Sequence, residues 1–457
     1  MTKVTLETLS SLCKRRGFIY QGSEIYGGMA GTWDYGPLGV ALKRNITNLW
    51  WQTFVEKRDD IYGLDSSILM SPRVWEASSH ITTFSDPIIE DLKTNKQYRL
   101  DHILEENQIK TNDMSFEKMM KQVSQKKILS PEGNTLGNAK RFNLMFQTQI
   151  GPVSKGSLKT YLRPETAQGT FTNFKNIVDS FYPDLPFGIA QIGKNFRNEI
   201  SPRDYIFRSR ELEIMEFEYF VISKDWDKYF DKLKDLTKDW YINKLKLSAN
   251  NIREREINKD ERAHYSQKTV DFEYKYPMGF KEIGGISYRA DFDLLNHQRL
   301  SSKSLEYTIK GTTTKVIPHV IEPTFGLDRN VLAVLSEAYS EDEINNEKRV
   351  FLKLPNHLAP VKVAVFPLIK NKPEIIKKAK EVYAVFKKEI MFVMWDDSGN
   401  IGKRYRKQDE IGTPYCLTID YDSLKDGTIT LRQRDTTSQK RMKIEESLKL
   451  IKDSIRI

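Results

Sequence analysis

Arginine, carboxylate and aromatic side chains gather twice within one short stretch, at Arg197-Asn198-Glu199 and at Phe207-Arg208-Ser209-Arg210-Glu211. Between them lies the turn-rich Ser201-Pro202-Arg203-Asp204, flanked by strand-like runs from Gly188 to Phe196 and from Phe207 to Phe220. The pattern predicts a β-hairpin with three arginines, two glutamates and a phenyl ring near one mouth. Guanidinium forks suit phosphate and a phenyl face suits a base, so the chemistry indicated is nucleotide binding. On composition alone a second reading stays open, a charged hairpin laced by solvated salt bridges. Within the first strand, Gly188-Ile-Ala-Gln-Ile-Gly193-Lys194-Asn195 has the spacing of a phosphate-binding P-loop but ends in Asn, without the hydroxyl that would bind magnesium. Its intervening residues are apolar and strand-like, so a nucleotide must be held by another architecture.

On the return strand, Leu212 and Ile214 share a face with Glu216 and Glu218, while Glu211 and Glu213 share one with Met215 and Phe217. A half-buried strand on a solvated sheet keeps its carboxylates on one side. Here both faces mix acid and hydrocarbon, which points to a cleft in which carboxylates meet a cation, an ammonium group among the candidates.

These residues must be positioned by a large mixed domain. The chain has 457 residues, enough for two or three domains and a sizeable core. A boundary falls after Pro355, dividing 1–355 from 356–457. Beyond it, Val361 to Phe366 reads as a strand and Pro373 to Ile390 as an amphipathic helix. Further strands follow at Met391 to Trp395, Pro414 to Ile419 and Thr428 to Leu431, with a closing helix marked by Ile444, Leu448, Ile451 and Ile455. The result is a small α/β unit. Residues 102–140 are polar and Lys-rich, an expected surface insertion to which no chemistry attaches.

Lys and Arg number 72 against 62 Asp and Glu, a formal charge of +10. Between 361 and 457 the balance is 21 to 14, so the small unit carries most of the surplus and favours a polyanionic partner such as RNA. Cys13 and Cys416 alone exclude a disulfide framework or a cysteine-rich zinc site and fit a reducing, cytoplasmic setting. No apolar stretch approaches membrane-spanning length and no export signal opens the chain, so no membrane partner is expected.

Phe196-Arg-Asn-Glu199-Ile-Ser-Pro-Arg203 with Phe207-Arg-Ser-Arg210-Glu211 resembles motif 2 of class II glycyl-tRNA synthetases. Other blocks agree in order. Tyr35-Gly-Pro37-Leu-Gly39 with Leu42-Lys-Arg-Asn-Ile46 resembles motif 1, and Arg163-Pro-Glu165-Thr-Ala-Gln168 resembles the family's amino-acid loop. Gly279 to Asp293 is similar to a segment typical of the glycyl enzymes, and Ile321-Glu322-Pro-Thr324-Phe-Gly326-Leu-Asp-Arg329 resembles motif 3. Leu358 to Pro367 is similar to the start of the class II anticodon-binding domain.

The resemblance implies an α+β fold: a class II catalytic domain built on an antiparallel sheet with flanking helices, and a C-terminal α/β anticodon-binding domain. It further implies a homodimer joined through motif 1, with glycine, ATP and tRNA(Gly) as partners and Mg2+ accompanying ATP. By the same transfer Arg197 holds the α-phosphate and the glycine carboxylate, Arg329 the γ-phosphate, Phe207 stacks on adenine and Glu199 contacts its amino group. Arg197, Glu199 and Arg329 are thus the expected catalytic set. Asn198, Arg208, Ser209, Glu282, Ile283 and Gly326 complete the ATP site. Glu165, Glu216 and Glu322 surround the ammonium, Arg289 orients them, Thr324 closes the pocket, and Arg99 is a further candidate for substrate contact. The metal-holding carboxylates are not indicated. Thr324 stands where the family has Ser, and Ile283 and Ala290 replace Leu and Thr. A class II enzyme for serine, threonine or proline, and an RNA-binding relative without activity, remain as alternatives, the first opposed by the glutamate set and the second by the intact arginines.

Overall fold

A computed structural model describes residues 4–111, 114–151, 158–344 and 346–456. Its centre is a seven-stranded sheet built from β1 (Ile61–Gly63), β2 (Phe187–Phe196), β3 (Glu211–Val221), β4 (Ile252–Glu256), β5 (Lys268–Tyr276), β6 (Gly279–Ala290) and β7 (His319–Gly326). The spatial order is β4-β5-β6-β7-β3-β2-β1. Neighbours are antiparallel except at the edge, where β1 runs parallel to β2.

Period-two alternation along β3 decides what each face of the sheet does. Met215, Phe217, Tyr219 and Val221 enter the main core, where Phe217 meets Trp50 and Phe54, and Phe325 of β7 joins them. That core is closed by α1 (Pro37–Trp51), α3 (Trp226–Asp239) and α5 (Leu327–Ala338). The other face changes character along its length. Phe220 packs against Phe171 and Phe174 of α2 (Ala167–Phe181), beside Leu294 of α4 (Phe292–Ser301), whereas Glu218 and Glu216 follow in a polar pocket. Leu212 and Ile214 then floor an open cleft. The mixed faces expected of this strand therefore correspond to three successive environments.

The hairpin forms with Glu211 opposite Phe196, so the return strand starts at Glu211 and not at the expected Phe207. The displaced residues make a tight turn, because Asp204 and Tyr205 adopt φ of 63° and 61°, left-handed values that interrupt a strand. The P-loop-like stretch lies wholly within β2.

Beyond residue 360, β8 (Val363–Pro367), β9 (Val393–Trp395), β10 (Tyr415–Ile419), β11 (Thr428–Gln433) and β12 (Gln439–Lys443) form a second sheet in the order β9-β8-β10-β11-β12. Helices α6 (Pro373–Glu389), α7 (Ile401–Ile411) and α8 (Ile444–Ser454) accompany it. Apolar residues of α6, α8 and the sheet make a separate core, including Ile375, Phe386, Leu417 and Ile451. The sequence reading lacked α7 and β12. Both are polar segments: α7 holds Arg404 and Asp409 buried in polar networks, and β12 is an edge strand. Asn45 of α1 donates to the carbonyls of Leu358 and Ala359 at 3.0 and 3.1 Å, tying the connecting segment to the large sheet.

The stretch 102–140 is more structured than its polarity indicated, except that residues 112 and 113 lie outside the described residues. Leu100–Glu106 and Phe116–Lys126 are helices that share an apolar cluster containing Leu100, Ile103, Leu104 and Val123. They pack beside a three-stranded sheet formed by Ser85–Glu90, Gln97–Arg99 and Lys140–Asn143.

Candidate active site

The cleft over Leu212 and Ile214 is walled by Arg197, Glu199, Phe207, Arg208, Ser209, Glu282, Thr324, Gly326 and Arg329. Sequence-distant elements thus bring most of the expected nucleotide set together. Arg329, in the first turn of α5, places Nη1 2.9 Å from Glu282 Oε2 and its guanidinium 4.6 Å over the Phe207 ring. Arg329 is the main reason that the Glu282 carboxyl is held below its ordinary value, although the cleft partly desolvates it. Arg197 lies 5.4 Å over the Phe84 ring and donates from Nε to the Pro164 carbonyl at 3.2 Å. Glu199 is buried; its Oε2 is 4.0 Å from Arg208 Nη1 and accepts no hydrogen bond from a described residue. That leaves an unpaired acceptor on a residue that lines the cleft. Two members of the set stand behind the lining. Ile283 turns its side chain into the main core, and the Asn198 N–H donates to the Leu144 carbonyl at 2.7 Å.

Next to this cleft, carboxylates crowd around one buried guanidinium. Arg289 is fully buried; Nη1 donates to Glu322 Oε1 at 2.9 Å, and Nε and Nη2 donate to the two oxygens of Asp293 at 2.7 and 2.9 Å. Its inward aim has a local cause. The register between β6 and β7 shifts between Tyr288 and Ala290, and Ala290 takes φ 51°, so the bulge redirects Arg289. Glu216 lies opposite both Thr324 and Gln191 in the sheet; Thr166 donates to its Oε1, and Thr324 Oγ1 is 3.4 Å from Oε2. Arg163 anchors the loop that carries Glu165 by donating from Nε to the Lys194 carbonyl at 2.8 Å. It crosses β2 so closely that a Cβ at Gly193 would lie 2.2 Å from Arg163 Nη2, which explains glycine at that position. Glu165 Oε1 then accepts from Gln168 Nε2 at 2.8 Å and lies 3.8 Å from Arg289 Nη2.

Glu216, Glu218 and Glu322 each place an oxygen within 4.8 Å of the others. Burial pushes Glu216 up and Glu218 far up, and it carries Glu322 to about 8 against the pull of Arg289. Glu218 is fully buried, and neither of its oxygens receives a hydrogen bond of normal geometry from a described residue, although Thr170 lies near enough to lower its pKa. Burial opposes the charge on Glu165 too, but His80, Arg289 and Gln168 hold that carboxyl below its usual range. One guanidinium facing this many acids leaves room for a cation.

Glu165, Glu216, Glu322, Arg289 and Thr324 therefore converge as expected. Arg99 stands in the three-stranded sheet beside the cleft, engaged by Asp86 and bidentately by Asp101 at 3.0 and 2.6 Å, and near enough to Glu199 and Arg208 to interact with their charges. Sequence reasoning gave no individual role to Gln168 or Asp293, which it quoted only as ends of family-like blocks, and missed His80. Glu218 was named there as one carboxylate of a cleft, from the broken alternation of β3, whereas His80 had no local signal.

A cleft on a mostly antiparallel sheet, with one guanidinium from the β2–β3 hairpin and another from the helix after β7, is the arrangement of a class II aminoacyl-tRNA synthetase. The tRNA synthetase class II core domain (G, H, P, S and T) matches residues 153–338, and the anticodon binding domain matches 362–454. In fold the chain is similar to prolyl-tRNA synthetase from Cryptosporidium parvum, with TM-score 0.65 at 14% identity over 98% of this chain and 75% of that one. Sequence relatives are more specific. The chain is 48% identical to the glycine–tRNA ligase of Mycoplasmopsis synoviae, covering 98% of this chain and 99% of the relative. It is 44% identical to that of Alkaliphilus oremlandii, covering 97% of each. The chain belongs to the glycine–tRNA ligase family.

Proposed function

We propose that the chain activates glycine with ATP and transfers it to tRNA(Gly), and that the two adjoining sites divide the work. The observation that carries this reading is the carboxylate pocket around Arg289, opening beside the Arg197 cleft. Glu165, Glu216 and Glu322 receive the glycine ammonium, whose charge favours their ionised form, while Arg289 keeps them in place. Arg197 draws the glycine carboxylate and the α-phosphate together. A carboxylate oxygen attacks the α-phosphorus, the bond to the bridging oxygen breaks, and pyrophosphate departs with the electron pair. The terminal tRNA hydroxyl then attacks the carbonyl carbon of the adenylate and AMP leaves.

Arg329 offsets charge at the γ-phosphate, and Phe207 and Glu199 hold the base. Mg2+ enters with ATP as counter-ion to its phosphates, and Glu282, kept ionised by Arg329, would supply it an oxygen. Thr324 narrows the pocket beside Glu216, so a substrate bearing a side chain meets its methyl group. Residues 1–355 form the catalytic domain and 356–457 the domain that reads the anticodon, a role supported by its positive surplus. The active species is a homodimer joined through the motif-1-like segment, in the cytoplasm, where Cys13 and Cys416 stay reduced as the buried free thiols they are.

ATP–pyrophosphate exchange with Mg2+, run separately with glycine, alanine, serine, threonine and proline, tests the reading. Exchange with glycine alone is expected. Exchange with another of these amino acids would overturn the pocket assignment, and none at all would overturn the activity.

A further inference from the structure

His80 takes no part in the roles assigned so far, yet it touches the machinery at two points. It is 2% exposed, with Nε2 3.3 Å from Glu165 Oε2 and Nδ1 2.8 Å from Ser78 Oγ. Because Glu165 is held as a carboxylate, which can only accept, the hydrogen between the two groups belongs to Nε2, while Nδ1 and the Ser78 hydroxyl share a hydrogen bond on the far side of the ring. Gln168 holds the other oxygen of Glu165, so the carboxylate is gripped at both ends. The His80 ring also meets the Phe84 ring at 5.4 Å, and Phe84 supports the Arg197 guanidinium on its face.

The segment that carries both rings is itself pinned. Ser79 takes φ 63°, and Asn143 Nδ2 donates to the carbonyls of His80 and Ile81 at 3.0 and 2.9 Å. His264, whose ring lies 6.2 Å from that of His80, has Nε2 3.0 Å from the Ser78 carbonyl. One short stretch, 78–84, thus reaches both the group that receives the substrate ammonium and the group that receives its carboxylate.

We propose that His80 is a positioning residue of the amino-acid pocket, fixing the Glu165 carboxylate through Nε2 and setting its distance from Arg197 through Phe84. The inference rests on the proposed glycine site. Its specific content is that the N–H at the Nε2 position, beyond the bulk of the ring, governs affinity for glycine. A hydrogen bond to a charged group of this kind, once lost, changes binding by about tenfold or more.

The test compares His80→Phe, which keeps a ring beside Phe84 but removes the donor, with His80→Gln, whose amide nitrogen reaches the Nε2 position. Glycine-dependent pyrophosphate exchange is measured for both variants and for the unaltered protein. Expected is a rise of about tenfold or more in KM for glycine in His80→Phe, with KM for ATP within about twofold, and recovery of most of that loss in His80→Gln. An unchanged KM for glycine in His80→Phe would overturn the proposal. So would equal increases in both KM values, or a His80→Gln variant as impaired as His80→Phe. If His80→Phe fails to fold, His80→Asn, whose amide reaches only the Nδ1 position, takes its place with the same expected split. Failure of the unaltered protein to exchange with glycine would count against the proposed function instead.

Discussion

The Tyr35 hydroxyl donates to Asp328 Oδ1 at 2.5 Å, joining the segment that leads into α1 to the residue just before Arg329. Asp328 Oδ2 accepts the Glu213 N–H at 2.8 Å, and Glu213 pairs with Lys43 of α1 at 2.5 Å. The arginine assigned to the γ-phosphate is therefore held from behind by a buried polar chain. Tyr35→Phe should lower unfolding stability by about 1–3 kcal/mol, since it leaves an acceptor of Asp328 without its donor. It should also raise KM for ATP more than KM for glycine. Denaturant unfolding and pyrophosphate exchange check the two parts.

The Arg329 guanidinium lies directly over the Phe207 ring in the wall of the cleft proposed to hold ATP. Phe207→Ala should raise KM for ATP by about tenfold, the scale of a lost aromatic contact of about 1–1.5 kcal/mol, and leave KM for glycine nearly unchanged. Steady-state exchange with each substrate varied in turn decides it.

The acid cluster gives a pH dependence of definite sign. Burial raises Glu322 from its ordinary 4.5 to about 8 and lifts Glu216 and Glu218 as well. Between those values the folded protein holds more protons than the unfolded chain, so stability of the empty protein should fall as pH rises from 4.5 towards 8. The cluster shares these protons, and no single site owns them. An incoming ammonium favours the ionised acids, so glycine binding below about pH 8 should release protons. Calorimetric titration in buffers of different ionisation enthalpy should show that release, and Glu218→Gln should reduce it.

Asp409 is buried between two arginines, accepting from Arg432 at 2.8 and 2.9 Å and from Arg349 at 3.2 Å. Asp409→Asn would leave the buried Arg432 guanidinium without its counter-charge, while Arg349 keeps Asp342, and should cost about 3–5 kcal/mol. Thermal unfolding should show the loss, with little change in glycine or ATP KM for protein that remains folded.

Affinity for tRNA should be the salt-sensitive property. Raising salt from about 50 to about 200 mM should increase KM for tRNA many-fold through loss of counterion release, while exchange without tRNA changes far less. Parallel assays across that range compare the two directly.

Much of this architecture was legible because it is encoded locally. Alternation from Gly188 to Phe220 marked the hairpin, the stripe from Ile375 to Phe386 marked α6, and unlike residues on the same face of β3 marked a cleft. The nucleotide arginines and pocket glutamates were named from resemblance and from residue type. Geometry beyond a few residues was not available to that reading. Whether Phe207 began a strand depended on the positive φ of Asp204 and Tyr205, and the burial of Ile283 depended on which face of β6 met the core.

The sequence by itself determined the residue types, the strand and helix periods, the surplus of positive charge and the family to which the chain belongs. Only the tertiary structure decided that Glu165 and His80 would meet at 3.3 Å, that a bulge would turn Arg289 inward, and that Glu218 would be buried with no normal hydrogen bond to its oxygens from a described residue. The reason is physical. Period and propensity act over a few residues, whereas desolvation and ion pairing depend on groups that folding brings together from distant parts of the chain.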